Sequence, residues 1–266
     1  DTDRNIGRAE GASLRFKDVP ILPLPSVDFP LAEERKSGLL PPSIGIDNIG
    51  GLEVTQPYYW NLAPNRDITF TPTYWSARGL NLGTEFRYLE GMAPNPPFQG
   101  QMRVNYMEKD QLREGARRWS MQYQHMGVAN PSYAGGTLGL NLNINRVSDD
   151  NYWKDFSLSN GLGIQRLLMN DVGVNWTNGY VTTGVRTQTW QTLQDLANVN
   201  NRITPPFDRV PQLTARLQRY NLGGFDFSVD GDLTRFSSAR DMDCATASSN
   251  SGSKLFYNCA PNADRA

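Results

Sequence analysis

Side chains with catalytic potential are few in this chain, and they are scattered. His125 is the single histidine, so a hydrolytic triad would have to be built on it. It closes an alternating run and shares the parity of Trp119, Met121 and Tyr123, as does a histidine at a membrane interface or at the edge of a barrel lumen. Asp149 and Asp150 are adjacent in "RVSDDNYWKDF". Neighbours on an extended chain point to opposite sides, which makes them a poor acid and base pair and a poor metal site. "GLGIQR" lacks the third glycine and the strand-turn-helix setting of a dinucleotide loop and reads as a turn. "NWT" at Asn175 matches a glycosylation acceptor but lies inside an expected strand. Cys244 and Cys259 flank "ATASSNSGSKLFYN", with no histidine nearby and no CxxC spacing, which argues against zinc. They close a local disulfide loop in an oxidising compartment and stay two free thiols in a reducing one. No catalytic constellation emerges, and neither an enzyme nor a cofactor or metal is expected.

The charge balance, 26 Lys plus Arg against 27 Asp plus Glu, gives no footprint for nucleic acid or for a basic membrane-surface patch. No apolar run approaches the roughly 18 residues of a transmembrane helix. Transmembrane strands remain open, because they alternate and keep mean hydropathy low. The chain begins at Asp1 and ends in "PNADRA", the expectation being a processed chain or an excised fragment.

The elements that must position any function are strands. Period-two alternation recurs from residue 50 to residue 236, with almost no helical period. In "DITFTPTYW", Ile68, Phe70, Pro72 and Tyr74 oppose Asp67, Thr69, Thr71 and Thr73. In "GLNLGTEFRYL", Leu80, Leu82, Phe86 and Tyr88 oppose Asn81, Gly83, Glu85 and Arg87. About eleven strands are expected, at 37–47, 50–60, 66–75, 79–89, 99–107, 116–126, 137–147, 163–177, 179–192, 210–220 and 224–236. Many run about ten residues, the length that crosses a bilayer at a tilt, where soluble strands run about five or six. Tyr58, Tyr59, Trp60, Tyr74, Trp75, Tyr88, Trp119, Tyr152, Trp153 and Trp190 gather near strand ends, as in an aromatic girdle. Connections at "LAPN" and "SAR" are tight, whereas 108–115, 148–160 and 193–209 are long. The fold class expected is all-β, an antiparallel transmembrane β-barrel, with a soluble sandwich as the competing architecture.

Residues 1–36 differ, being rich in proline with short apolar pieces, and a domain boundary is expected near residue 36. Residues 37–240 form the barrel segment and residues 241–266 a loop-like tail with both cysteines. Pro57 stands in the middle of an apparent strand, "LEVTQPYYWNLAPN", where it removes a backbone donor.

Three stretches carry a resemblance. "FKDVPILPLPSVDFPL", "RKSGLLPPSIG" and "GLEVTQPYYWNLAPNRDITFTPTYWSARGLNLGTEFRYL" closely resemble the LptD (Imp/OstA) family of lipopolysaccharide-assembly outer-membrane proteins. The likeness is strong over residues 16–89 and continues more loosely through "RRWSMQYQHMG", "VSDDNYWKDF" and "PQLTARLQRY". It implies a periplasmic β-jelly-roll followed by a barrel of about twenty-six strands in the bacterial outer membrane. It implies lipopolysaccharide as cargo, surrounding outer-membrane lipid, a lumen plug of the LptE lipoprotein type and a periplasmic bridge protein of the LptA type.

By the same resemblance, Pro42 and Pro57 weaken the first two barrel strands at a lateral gate for lipopolysaccharide insertion. Pro57 as a plain β-bulge is the alternative, and Pro41 either weakens the strand further or starts it. Glu53, Asp67, Glu85, Arg87, Arg103 and Arg118 would face the lumen, and Phe16, Pro20, Ile21, Leu22 and Leu24 would belong to an apolar slide for acyl chains in the jelly roll. Eleven strands are under half of such a barrel. The family's disulfides join the jelly roll to the far end of the barrel, so Cys244 and Cys259 match neither partner and a loop-local bridge is the most that is expected. Rival readings are a passive porin-like channel, a barrel-borne lipase using His125 and a soluble carbohydrate-binding sandwich.

Overall fold

The computed structural model describes residues 6–11, 13–16, 19–23, 27–30, 35–91, 98–129, 135–156, 165–194, 201 and 203–238. Cys244, Cys259 and Leu24 lie outside the described residues, as do the side chains of Phe16, Pro20, Ile21 and Leu22. The first part forms two short antiparallel pairs, nested in sequence: β1 (Ile6–Ala9) with β4 (Val27–Pro30), and β2 (Ser13–Phe16) with β3 (Val19–Pro23). Pro20, Pro23 and Pro30 lack ladder donors, which keeps these strands short.

From residue 38 onward the chain is one antiparallel meander. It runs through β5 (Gly38–Leu39), β6 (Ser43–Asp47), β7 (Gly51–Thr55), β8 (Tyr58–Ala63), β9 (Arg66–Trp75), β10 (Gly79–Glu90), β11 (Phe98–Asp110), β12 (Ala116–Ala129) and β13 (Thr137–Val147). A one-turn helix, α1 (Tyr152–Asp155), precedes β14 (Leu167–Asn178), β15 (Val181–Thr192), β16 (Asp208–Leu222) and β17 (Phe225–Ser237). The sheet holds 13 segments. Because β5 and β6 are halves of one strand, and β7 and β8 halves of the next, these segments make eleven wall strands, the number expected from the alternation.

Boundaries differ from the periodicity in informative places. The expected 37–47 and 50–60 strands are each interrupted at prolines. The second strand continues to Ala63, so Tyr58, Tyr59 and Trp60 lie inside it rather than at its end. The connection expected at 108–115 shrinks to Gln111–Gly115, because β11 runs on to Asp110 and the reversal is made by left-handed Glu114 (φ 57°) and Gly115 (φ 75°). The strand expected from residue 163 is described from Leu167.

Register fixes two faces. Asp67, Arg87, Glu85, Arg103, Thr71, Gly83 and Asn105 lie on one side through the pairs Arg87↔Asp67, Glu85↔Arg103, Gly83↔Thr71 and Gly83↔Asn105. Leu80, Leu82, Tyr74 and Tyr106 lie on the other. That second face is uncovered, with Leu80 60% and Leu233 70% exposed. The buried apolar residues Trp75, Met107, Val147, Tyr152, Phe156, Leu168 and Leu193 form a small cluster at one end of the sheet. A sandwich would bury an entire sheet face against a second layer about 10 Å away. Among the described residues the sheet is a single layer whose apolar side requires a non-aqueous surrounding.

Candidate functional site

The first two wall strands carry the defect that the sequence announces. Below it, Gly38 and Leu39 pair with Tyr59 and Tyr58; above it, Ser43, Ile44, Gly45 and Ile46 pair with Thr55, Val54, Glu53 and Leu52. Between these ladders the three residues Leu40, Pro41 and Pro42 face only Gln56 and Pro57. The extra residue makes a β-bulge, which both bends the strand and cuts its pairing.

The hydrogen bonds at this level are one-sided. Leu40 N–H donates to the Pro57 carbonyl at 2.9 Å. In an intact antiparallel ladder the partner would return a bond, but Pro57 has no N–H. One strand further on, Gln56 N–H donates to the Pro72 carbonyl at 3.2 Å, and Pro72 again has no donor to return. Pro42, Pro57 and Pro72 thus stand at one level of three neighbouring strands. Their even spacing of fifteen residues was the signal for Pro72, which the alternation assigned only to an apolar face.

Side chains stitch the lower half of the first strand to the wall. Asn61 N–H donates to Ser37 Oγ at 2.9 Å, and Asn61 Nδ2 to the Arg35 carbonyl at 2.9 Å. Arg35 lies 3.4 Å from Asp67, whose carboxylate also accepts from Arg87 at 2.8 and 3.0 Å and from Tyr59 Oη at 3.3 Å. Asp67 is 2% exposed, so these donors satisfy a carboxylate that would otherwise be costly to bury. Glu85 takes Arg103 Nε at 2.5 Å, and Glu53 lies on the same face opposite Trp75. Further along, a hollow of about 940 Å³ is lined by Gln101, Gln124, Asn141, Asn143, Asp171 and Arg186 among others.

Arg118 shares the polar parity but is enclosed. Its Nη1 donates to Asp110 at 3.0 Å and to Asp155 at 2.8 Å, and its Nε and Nη2 to Asp149 at 2.7 and 3.0 Å. Arg78 adds bonds to Asp110 at 2.7 Å and Asp155 at 3.2 Å, and Arg113 grips Asp155 with two contacts of 2.9 Å. The guanidinium carbons of Arg78 and Arg118 both lie over the Phe156 ring, 5.1 and 5.0 Å from its centroid. Burial pushes the Asp155 carboxyl up, but the bonds from Arg113 and Arg118 outweigh it and hold the group down at about 2. Three arginines and three aspartates therefore fasten residues 149–156 onto the sheet at the end where the apolar cluster sits. Arg118 thus lies on the polar parity expected of it but is enclosed by these carboxylates, and Asp149 is a structural anion. Arg78, Asp110 and Asp155 escaped the sequence reading because nothing local brings a tight turn, a strand end and a loop together.

His125 pairs across Gly100 with Tyr88 on the apolar face. Tyr88 Oη lies 2.6 Å from His125 Nδ1 and 2.8 Å from Tyr123 Oη. A Cβ at residue 100 would collide with the Tyr88 ring, so glycine opens the space that the aromatic cluster fills. The histidine is accordingly part of an aromatic cluster with Tyr88, Tyr123 and Phe98.

A single-layer meander of long antiparallel strands, apolar outside and polar inside, is the wall of a transmembrane β-barrel, here present in part. Comparison with known proteins gives the family. A family model described as LPS transport system D matches residues 116–260. The chain is 52% identical over 247 residues to the LPS-assembly protein LptD of Albidiferax ferrireducens, covering 91% of this chain and 30% of that protein. It is 48% identical to that of a Polaromonas species (91% and 29%) and 36% identical to that of Burkholderia ambifaria (97% and 30%). The chain belongs to the LptD family. It spans about 30% of the length of the curated relatives it matches.

Proposed function

We propose that this segment forms the entry side of a lateral gate through which the complete protein delivers lipopolysaccharide into the outer leaflet of the bacterial outer membrane. The observation that carries the reading is the aligned defect at Leu40–Pro42, Gln56–Pro57 and Pro72, where neighbouring ladders each lose a bond at one height. A hydrogen bond is worth about 0.5–1.5 kcal/mol net. A wall lacking a few at one level parts there first, while the remaining strands keep every backbone group satisfied as lipid demands. Pro42 and Pro57 are the gate residues in this reading.

The polar face is the lumen wall, and Glu53, Glu85, Arg87 and Arg103 present their charges to the glycan or to a plug of the LptE lipoprotein type. The strand pairs before residue 36 are the end of a periplasmic jelly roll, with Phe16, Ile21, Leu22 and Leu24 on the acyl slide, and it receives cargo from a bridge of the LptA type. The turns at 64–65 and 179–180 then face the periplasm and the 148–166 connection faces outward. No catalytic role is assigned to the segment.

Replacing Pro42 and Pro57 by alanine in the full-length protein tests the reading. The restored donors should tighten the seam and lower the amount of lipopolysaccharide reaching the cell surface. Unchanged delivery would favour a passive porin-like channel, in which the prolines are ordinary strand irregularities.

A further inference from the structure

The bond that Pro57 fails to make is made by its neighbour. The Leu40 carbonyl, which in a regular ladder would accept from the N–H of residue 57, accepts instead from the side-chain amide of Gln56, with Nε2 2.8 Å away; the same nitrogen lies 3.3 Å from the Pro57 carbonyl. We propose that Gln56 is a releasable rung of the first wall strand. Its side chain stands in for the absent Pro57 amide and holds residues 38–40 against the second strand when the seam is at rest.

The chemistry of the substitute sets how it opens. A backbone rung breaks only if the strand moves, whereas a side-chain rung breaks by rotation about χ angles while both strands stay in place. Leu40 N–H to Pro57, the short pairing of Gly38 and Leu39 with Tyr59 and Tyr58, and the bonds of Asn61 to Ser37 and Arg35 would then remain below the bulge. Gln56 keeps its own backbone tie to Pro72 at 3.2 Å, so letting go of Leu40 leaves the second strand anchored to the third. A carboxylate at this position would present only acceptors to the Leu40 carbonyl, and a leucine would present nothing. The purpose of the rung rests on the seam reading above, but its geometry stands without it.

The test is hydrogen exchange, read by mass spectrometry on the full-length protein in membranes, at the Gly38 and Leu40 amides, which face the second strand, and, as a reference, at the Ser43 and Gly45 amides above the bulge. Gln56→Leu and Gln56→Glu should each speed exchange at Gly38 and Leu40 by about three- to tenfold, the ratio one net hydrogen bond gives, and leave Ser43 and Gly45 unchanged. In a Pro57→Ala background, where the backbone donor is restored, Gln56→Leu should have little further effect. Equal acceleration in both backgrounds would overturn the proposal, since Gln56 would then act through packing, as would wild-type protection in either Gln56 variant. Exchange does not depend on cargo, so a failure of the gate reading and a failure of the rung are told apart.

Discussion

Arg118 Nη1 lies within hydrogen-bond reach of two carboxylates from different parts of the chain, Asp110 at 3.0 Å and Asp155 at 2.8 Å. Asp110 ends a wall strand, whereas Asp155 belongs to the loop that follows β13. One buried guanidinium therefore ties a loop down onto the sheet. A buried pair is weak evidence for net stability, but removing one partner leaves an uncompensated charge, which costs about 3–5 kcal/mol. Arg118→Ala should release residues 148–156, seen as rapid protease cutting in that loop of the full-length protein, while Arg117→Ala, whose guanidinium is largely exposed beside Glu108, should leave the loop intact.

The same clamp sets a pH limit. The Asp155 carboxyl is held down at about 2, below its ordinary 3.8. A depressed carboxylate contributes stability that is fully present above its unfolded value and is lost as pH falls through the folded one. The loop should therefore resist protease at pH 5 and above and loosen between about pH 4 and 2. Asp155→Asn should remove this acid transition, so a transition that survives in that variant would assign it to another group.

The two faces make opposite demands on a new charge. Leu82, on the apolar side, sits beside Gly83 on the polar side in the same strand. Leu82→Arg should reduce stability in the membrane by about 2–4 kcal/mol if the site is near the midplane. Thr71→Arg, opposite Gly83 on the polar face, should fold with far less loss. Reversal of that order in unfolding titrations would mean that the faces are assigned the wrong way round.

Much of the wall was legible in the residues. Strict alternation in "DITFTPTYW" and "GLNLGTEFRYL" gives strands and faces directly, because a side-chain period of two leaves no choice once one face must be apolar. What the alternation misplaced were interruptions and ends. Pro41, Pro42 and Pro57 split two strands because donors vanish, and the bulge between them depends on pairing that no single strand displays. The Gln56 rung and the Arg78, Asp110, Arg118 and Asp155 cluster depend on register between distant segments, so residue type alone could not announce them. Asp67 and Arg118 read as lumen charges by parity, yet both are enclosed by partners that only the folded sheet brings near.

The most direct test of the gate is site-specific photocrosslinking in cells that carry the full-length protein with a probe at Ile44 or at Val54, which pair with each other immediately above the bulge. Adducts to lipopolysaccharide that disappear when transport is de-energised are the predicted result. Adducts only to phospholipid or to neighbouring protein would contradict it and leave the segment as the wall of an outer-membrane barrel with another cargo.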